Sequence, residues 1–264
     1  MNFIDNLLDT ARKNNSLVCV GLDPNPELMP DKLGIFEFNR AIIDATRDLV
    51  CAYKLNFAFY EVFGAEGFDI LKRTADYIPD NIPAIADAKR GDIGNTAKAY
   101  AQAIFSNLNF DAATVNPYLG FDSVEPFIQY HDRVVFILCR TSNPGARDFQ
   151  DLVVNGRTVY QIIAGMAAER WNLNGNVLLV VGATYPVELK EIRSIVGDMP
   201  LLVPGIGAQG GDVHAAVTNG KDSRGTGMII NSSRGIIYAG HGHSYAEAAR
   251  HAAKTQRDEI NKYR

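Results

Sequence analysis

Eight short apolar runs recur along the chain, at residues 17–23, 50–56, 82–87, 111–116, 133–140, 176–183, 201–204 and 227–231. Within them successive positions are apolar, not alternate ones, which is the pattern of a strand buried on both faces. The stretches between the runs have a helical period. Phe3, Ile4, Leu7, Leu8 and Ala11 share one face, Ile42, Ile43 and Leu49 a second within 36–49, and Val62, Phe63, Ile70, Leu71 and Thr74 a third within 61–77. Further helices are expected after Thr96, carrying Tyr100, Ala103 and Ile104, at 159–171, and at 245–263, the last rich in Ala, Arg, Lys and Glu and read as a solvated closing helix. Strand and helix alternating in this way predict an α/β protein with a parallel sheet, and eight units fit a closed (β/α)8 TIM barrel forming a single domain over 1–264. A missed or false strand would instead leave an open, doubly wound sheet. The longest break, 141–174, begins Ser142-Asn-Pro-Gly-Ala before turning helical, and an active-site loop is its expected use.

Composition narrows this picture. With 47% apolar residues the chain can bury a large core, and a net charge of -4 gives it no basic face for nucleic acid. The N-terminal residues mix acidic and apolar positions without the apolar centre of an export signal, and no run approaches a membrane span, so a cytoplasmic location is expected. Cys19, Cys51 and Cys139 each fall in an apolar run and read as buried, reduced thiols.

The chemistry concentrates at the ends of the runs. From residue 82 the chain reads Ile-Pro-Ala-Ile-Ala-Asp-Ala-Lys-Arg-Gly-Asp-Ile-Gly-Asn-Thr, placing Asp87, Lys89 and Asp92 where a buried strand stops. Side chains two apart on a strand point the same way, so Asp87 and Lys89 can touch. Gly91 and Gly94 loosen the following turn enough for Asp92 to fold back toward them. A lone Asp-x-Lys is commonly a structural ion pair. A lysine buried between carboxylates, however, stays protonated and forms a fixed proton donor. Its acidic neighbours would repel a substrate carboxylate, and departure of that group as carbon dioxide would relieve the repulsion while the lysine protonates the remaining carbon. Asp23 and Lys54 also close apolar runs and extend the series into a line of alternating charge, Asp23, Lys54, Asp87, Lys89.

A second cluster lies late in the chain. Pro204-Gly-Ile-Gly-Ala-Gln-Gly-Gly contains Gly205, Gly207 and Gly210, formally a dinucleotide-binding G-x-G-x-x-G, but only one strand candidate follows it. What remains is a glycine loop after the seventh strand whose bare N–H groups can cradle a phosphate, with Gln209 at its tip and Arg234 after the eighth strand as guanidinium partner. His241 and His243 lack a third ligand, so no metal is expected there. No Ser-His-Asp or Cys-His order points to a covalent nucleophile.

The pattern Asp-x-Lys-x-x-Asp-Ile-x-x-Thr, here Asp87, Lys89, Asp92, Ile93 and Thr96, resembles the signature of the orotidine 5'-monophosphate decarboxylase family. The ordered Asp23, Lys54, Arg140-Thr-Ser-Asn-Pro-Gly, 204–211 and Arg234 extend the resemblance along the whole chain, and the wording is most similar to the bacterial second type. It implies cofactor-independent conversion of orotidine 5'-monophosphate to uridine 5'-monophosphate, the last step of de novo pyrimidine nucleotide synthesis, with no metal. By the resemblance Lys89 protonates C6, Asp87 sits beside the departing carboxylate, Asp23 and Lys54 hold the ribose, Ser142 reads the pyrimidine, and Pro204, Gly207, Gln209 and Arg234 bind the phosphate. It also implies a homodimer in which Asp92, Ile93 and Thr96 reach the partner's site, at odds with a fold-back of Asp92 onto its own strand. The long 142–174 segment and the Ser232-Ser233 pair before Arg234 depart from the family pattern. Two alternatives stay open: a metal-dependent sugar-phosphate aldolase or epimerase of the same kind of barrel, and a non-catalytic nucleotide-binding barrel.

Overall fold

Eight parallel strands close on themselves in the computed structural model, which describes residues 3–206 and 211–264. They are β1 Val18–Gly21, β2 Ala52–Asn56, β3 Ala84–Arg90, β4 Ala112–Val115, β5 Val134–Leu138, β6 Val177–Val180, β7 Leu201–Pro204 and β8 Met228–Ser232. Neighbours in sequence are neighbours in the sheet, and the barrel is sealed where β1 pairs with β8 through Val18 and Ile230, Cys19 and Asn231, and Val20 and Ser232. The barrel prediction holds, and each strand lies within or against its apolar run. Because both faces of each strand are covered, β1, β4 and β6 are buried at every position.

The helices pack outside. Phe3, on the helix Phe3–Lys13, sets its ring edge-on to Phe136 of β5 at 5.9 Å. Phe38, on Ile35–Thr46, stacks between Tyr238 and Tyr245 with centroids 5.8 and 5.3 Å away. The closing helix Tyr245–Ile260 is less solvated than its composition implies. It buries Ala249, Ala253 and Ile260 completely, the small residues allowing close approach to the Ile35–Thr46 helix.

The expected helix over 61–77 is in fact two, Ala58–Glu61 and Gly64–Tyr77. Gly64 takes a φ of +60°, which ends the first, and a Cβ on Gly67 would fall 1.8 Å from the Tyr60 carbonyl oxygen. Ile70, Leu71 and Thr74 face the core as the period indicates, whereas Val62 is 73% exposed and Phe63 is also outside. The 141–174 stretch forms a turn at Pro144–Asp148, a two-stranded ribbon of Val153–Val154 against Arg157–Thr158, and a helix from Val159 to Met166 started by a reciprocal Thr158 and Gln161 cap. All three cysteines are buried free thiols, and burial pushes Cys51 and Cys139 up to about 12. Among the described residues no helix is long and apolar enough to cross a membrane.

Candidate active site

The C-terminal ends of the strands enclose a cavity of about 760 Å³, within the range of small-molecule sites. Four of the expected residues meet there in one line. Lys54, on β2, places its Nζ 2.8 Å from Asp87 Oδ2 and 3.8 Å from Asp23 Oδ1, and Lys89 Nζ lies 2.6 Å from Asp87 Oδ1. Asp23 is held after β1 by the Asn56 backbone N–H, which donates to Oδ1 at 3.2 Å. The Tyr238 hydroxyl donates to the Asp23 carbonyl at 3.2 Å, tying the chain after β8 to the chain after β1. Alternating charge lets the line tolerate burial.

Burial alone would raise the Asp87 carboxyl, but the Lys54 charge, then that of Lys89, and hydrogen bonds from both hold it well below the usual carboxylate range. Burial would lower Lys54 in turn, yet Asp23 and then Asp87 outweigh it and keep the ammonium protonated far above neutral pH. The lysine buried among carboxylates is therefore Lys54. The Lys89 side chain is 48% exposed and stands at the cavity edge, where a ligand can reach it.

Lys89 owes its direction to an irregularity in β3. Pairing with β4 shifts between Ala86 and Arg90, and Lys89 adopts a φ of +46°, a conformation few side-chain-bearing residues take up. Thr114 of β4 braces the bulge: its Oγ1 accepts the Lys89 N–H at 2.9 Å and donates to Asp87 Oδ1 at 3.0 Å. A left-handed residue in a strand costs roughly 1–3 kcal/mol and persists where its surroundings enforce it; here Thr114 and the Asp87 contact do so.

Ser142, Pro204 and Arg234 also line the cavity, as do Gly205 and Ile206. Gly205 has a φ of +99°, and Gly211 approaches so closely that a Cβ there would lie 2.5 Å from the Gly205 carbonyl oxygen. Gly207 and Gln209 lie outside the described residues. Asp92, Ile93 and Thr96 are not among the lining residues. Asp92 does not return to Asp87 and Lys89: its Oδ1 accepts the Ile93 N–H at 2.8 Å, and Ile93 is 51% exposed at the start of the helix Gly94–Gln102. The fold-back expected from the glycines is therefore incorrect, since Gly94, at φ +56°, instead turns the chain into that helix.

Several lining residues escaped the sequence reading. Thr114, Asn56, Asn231 and Gln150 are examples, and Asn231 Oδ1, though buried, has no hydrogen-bond partner among the described residues. Asn56 and Asn231 are polar side chains at the last positions of their apolar runs, the place where the charges were found, whereas Thr114 sits inside its run and carries no such signal. Among the described residues no three His, Cys, Asp or Glu side chains gather as metal ligands.

Comparison with known proteins agrees with this geometry. The sequence model of the orotidine 5'-phosphate decarboxylase / HUMPS family matches residues 16–249. The orotidine 5'-phosphate decarboxylases of Dehalococcoides mccartyi and Cupriavidus necator are each 52% identical, over 268 and 272 residues, covering 100% of this chain and 99% of theirs. The solved OMP decarboxylase of Leishmania donovani superposes with a TM-score of 0.89 at 42% identity, covering 100% of this chain and 99% of that one. With about half of all positions shared from end to end and the charge line in place at the ends of β1 to β3, the chain belongs to the orotidine 5'-phosphate decarboxylase family.

Proposed function

We propose that the chain converts orotidine 5'-monophosphate to uridine 5'-monophosphate, the closing step of de novo pyrimidine nucleotide synthesis, on the charge line Asp23, Lys54, Asp87, Lys89. The substrate carboxylate is seated against Asp87. The bond from C6 to the carboxyl carbon breaks, carbon dioxide leaves, the electron pair stays on C6, and Lys89 Nζ delivers the proton that fills it. Asp23 and Lys54 bind the ribose hydroxyls, Ser142 reads the pyrimidine, and Pro204, Gly207, Gln209 and Arg234 hold the phosphate. The observation that carries this reading is the double grip on Asp87, with ammonium groups at 2.8 and 2.6 Å and a hydroxyl at 3.0 Å. So held, the carboxylate stays ionised at neutral pH and cannot swing away from an incoming anion. Attraction of the substrate's anionic groups to the two ammonium groups and to Arg234 draws it in, and the binding energy of its phosphate offsets the repulsion at its other end.

The catalytic unit we propose is a homodimer with Asp92, Ile93 and Thr96 completing the partner's site. In support, the loops after β2, β3 and β4 are neighbours and each presents exposed apolar surface, Val62 at 73%, Ile93 at 51% and Tyr118 at 72%. The buried free thiols fit a reducing compartment, and we place the enzyme in the cytoplasm. The test is a spectrophotometric assay with orotidine 5'-monophosphate in EDTA. Loss of the orotidylate absorbance at an undiminished rate supports the proposal. Activity only after a divalent metal is restored points to an aldolase- or epimerase-type barrel, and binding without turnover to a silent one.

A further inference from the structure

The 142–174 segment, which the function above does not use beyond Ser142, brings Asn143 and, from further along, Gln150 to the cavity. Gln150 stands nine residues beyond Thr141, yet it lines the cavity and grips Thr141 twice. Its Oε1 accepts the Thr141 backbone N–H at 2.8 Å. A backbone N–H can only donate, so the orientation of the Gln150 amide is fixed and Nε2 donates to Thr141 Oγ1 at 2.9 Å. The Thr141 hydroxyl has one hydrogen, and its shorter contact is to Asn143 Oδ1 at 2.6 Å, against 3.3 Å to Gln150 Oε1. The bonds therefore run in one direction, from Gln150 Nε2 through the Thr141 hydroxyl to Asn143 Oδ1. With its oxygen engaged, Asn143, itself a lining residue, keeps its Nδ2 hydrogens without an acceptor among the described residues.

The base of this relay is rigid. Arg140 is fully buried, pairs its Nε with Asp151 Oδ1 at 3.0 Å, lies 4.0 Å over the Tyr185 ring, and donates from Nη1 to the Thr141 carbonyl at 2.9 Å. The N–H, hydroxyl and carbonyl of Thr141 are thus all engaged, two of them by Gln150.

We infer that Gln150 is a positioning residue for base recognition: acting through Thr141, it makes Asn143 a hydrogen-bond donor to the ligand and so favours a pyrimidine whose edge carries carbonyl oxygens over one carrying an exocyclic amino group. The inference rests on the reading that this segment meets the pyrimidine ring, and the test separates the two. Affinities for uridine 5'-monophosphate, cytidine 5'-monophosphate and ribose 5-phosphate are measured for the wild type and for Gln150→Glu, Gln150→Ala and Ser142→Ala. A carboxylate at position 150 can accept the Thr141 N–H but cannot donate to its hydroxyl, so that hydroxyl turns toward it and releases Asn143. Gln150→Glu is expected to narrow the uridylate-over-cytidylate preference roughly tenfold, about the value of one directed hydrogen bond, with ribose 5-phosphate affinity and Tm unchanged. Gln150→Ala should act in the same direction. If both Gln150 variants keep the preference while Ser142→Ala loses it, the inference is overturned and the reading of Ser142 stands. If the Gln150 variants lose it and Ser142→Ala does not, the inference stands and the ring is read at Asn143. Equal weakening toward all three ligands would indicate a merely structural role and overturn it.

Discussion

Lys89 and Lys54 carry the same charge and do different work. Lys54 is buried and bound on both sides by acids, whereas Lys89 is half in the cavity and free to approach a reacting carbon. Lys89→Ala is therefore expected to abolish turnover while the variant still binds uridine 5'-monophosphate. Arg234→Ala should raise KM far more than it lowers kcat, because a phosphate contact is made before and during the reaction alike. Steady-state kinetics on the two variants checks both, and near-normal turnover by the Lys89 variant would remove it from the proton-donor role. Lys54→Met should weaken ribose binding and also destabilise the fold: it removes the buried cation shared by Asp23 and Asp87 and leaves Asp87 only Lys89 and Thr114, at a cost of about 3 kcal/mol seen as a lower Tm at neutral pH. The pH dependence has a definite sign. Asp87 is depressed in the fold, so its stabilisation is complete above the ordinary carboxylate pKa and is lost as pH falls below it. Lys54 is raised, so its stabilisation is complete below the ordinary lysine pKa and is lost as pH rises through the folded value. The Tm gap between wild type and Lys54→Met should thus narrow on acidification, as protonation discharges the under-compensated Asp87; a gap constant down to pH 3 would sink this account.

At the scale of elements, the strands were legible and their irregularities were not. A buried parallel strand is an unbroken apolar run, and the charges that end it mark the barrel mouth, so the sequence alone places Asp23, Lys54, Asp87 and Lys89 there. Thr114 could not, because threonine is at home in any strand and its role depends on the neighbour across the ladder. The β3 bulge was equally invisible, since the i, i+2 rule that pairs Asp87 with Lys89 assumes the regular strand that Lys89 breaks. Periodicity also ran through Gly64 without seeing the break in the helix, as it registers spacing and not φ. One element contact has a direct test. A Cβ on Gly182, after β6, would lie 2.7 Å from the Ser142 backbone nitrogen after β5. Gly182→Ala should push the Ser142 segment outward, raising KM for orotidine 5'-monophosphate with a stability cost of about 1–3 kcal/mol. Unchanged KM with lowered Tm would mean that the strain is absorbed on the far side of β6.

For the whole molecule, subunit mixing decides whether Asp92 serves its own cavity or a neighbour's. Inactive Lys89→Ala and Asp92→Ala chains, unfolded and refolded together, should regain about a quarter of wild-type activity, because half of the dimers are mixed and each mixed dimer holds one intact site. No recovery would assign Asp92 to its own chain, and an Asp92→Ala chain active by itself would assign it to no site. The barrel seal between β1 and β8 has a different consequence. The acids and ammonium groups stand on β2 and β3 and, for Asp23, just after β1, on one side of the seam, while Arg234 stands on the other, on the chain leaving β8. A nucleotide with its ribose on Asp23 and its phosphate on Arg234 therefore acts as a clasp across the two ends of the sheet, alongside the Tyr238 hydroxyl that already bridges them. Amide hydrogens of Val18 to Val20 and Ile230 to Ser232 should exchange more slowly with uridine 5'-monophosphate bound, by a larger factor than those of β4 and β5, so that the ligand locks the hoop at its join.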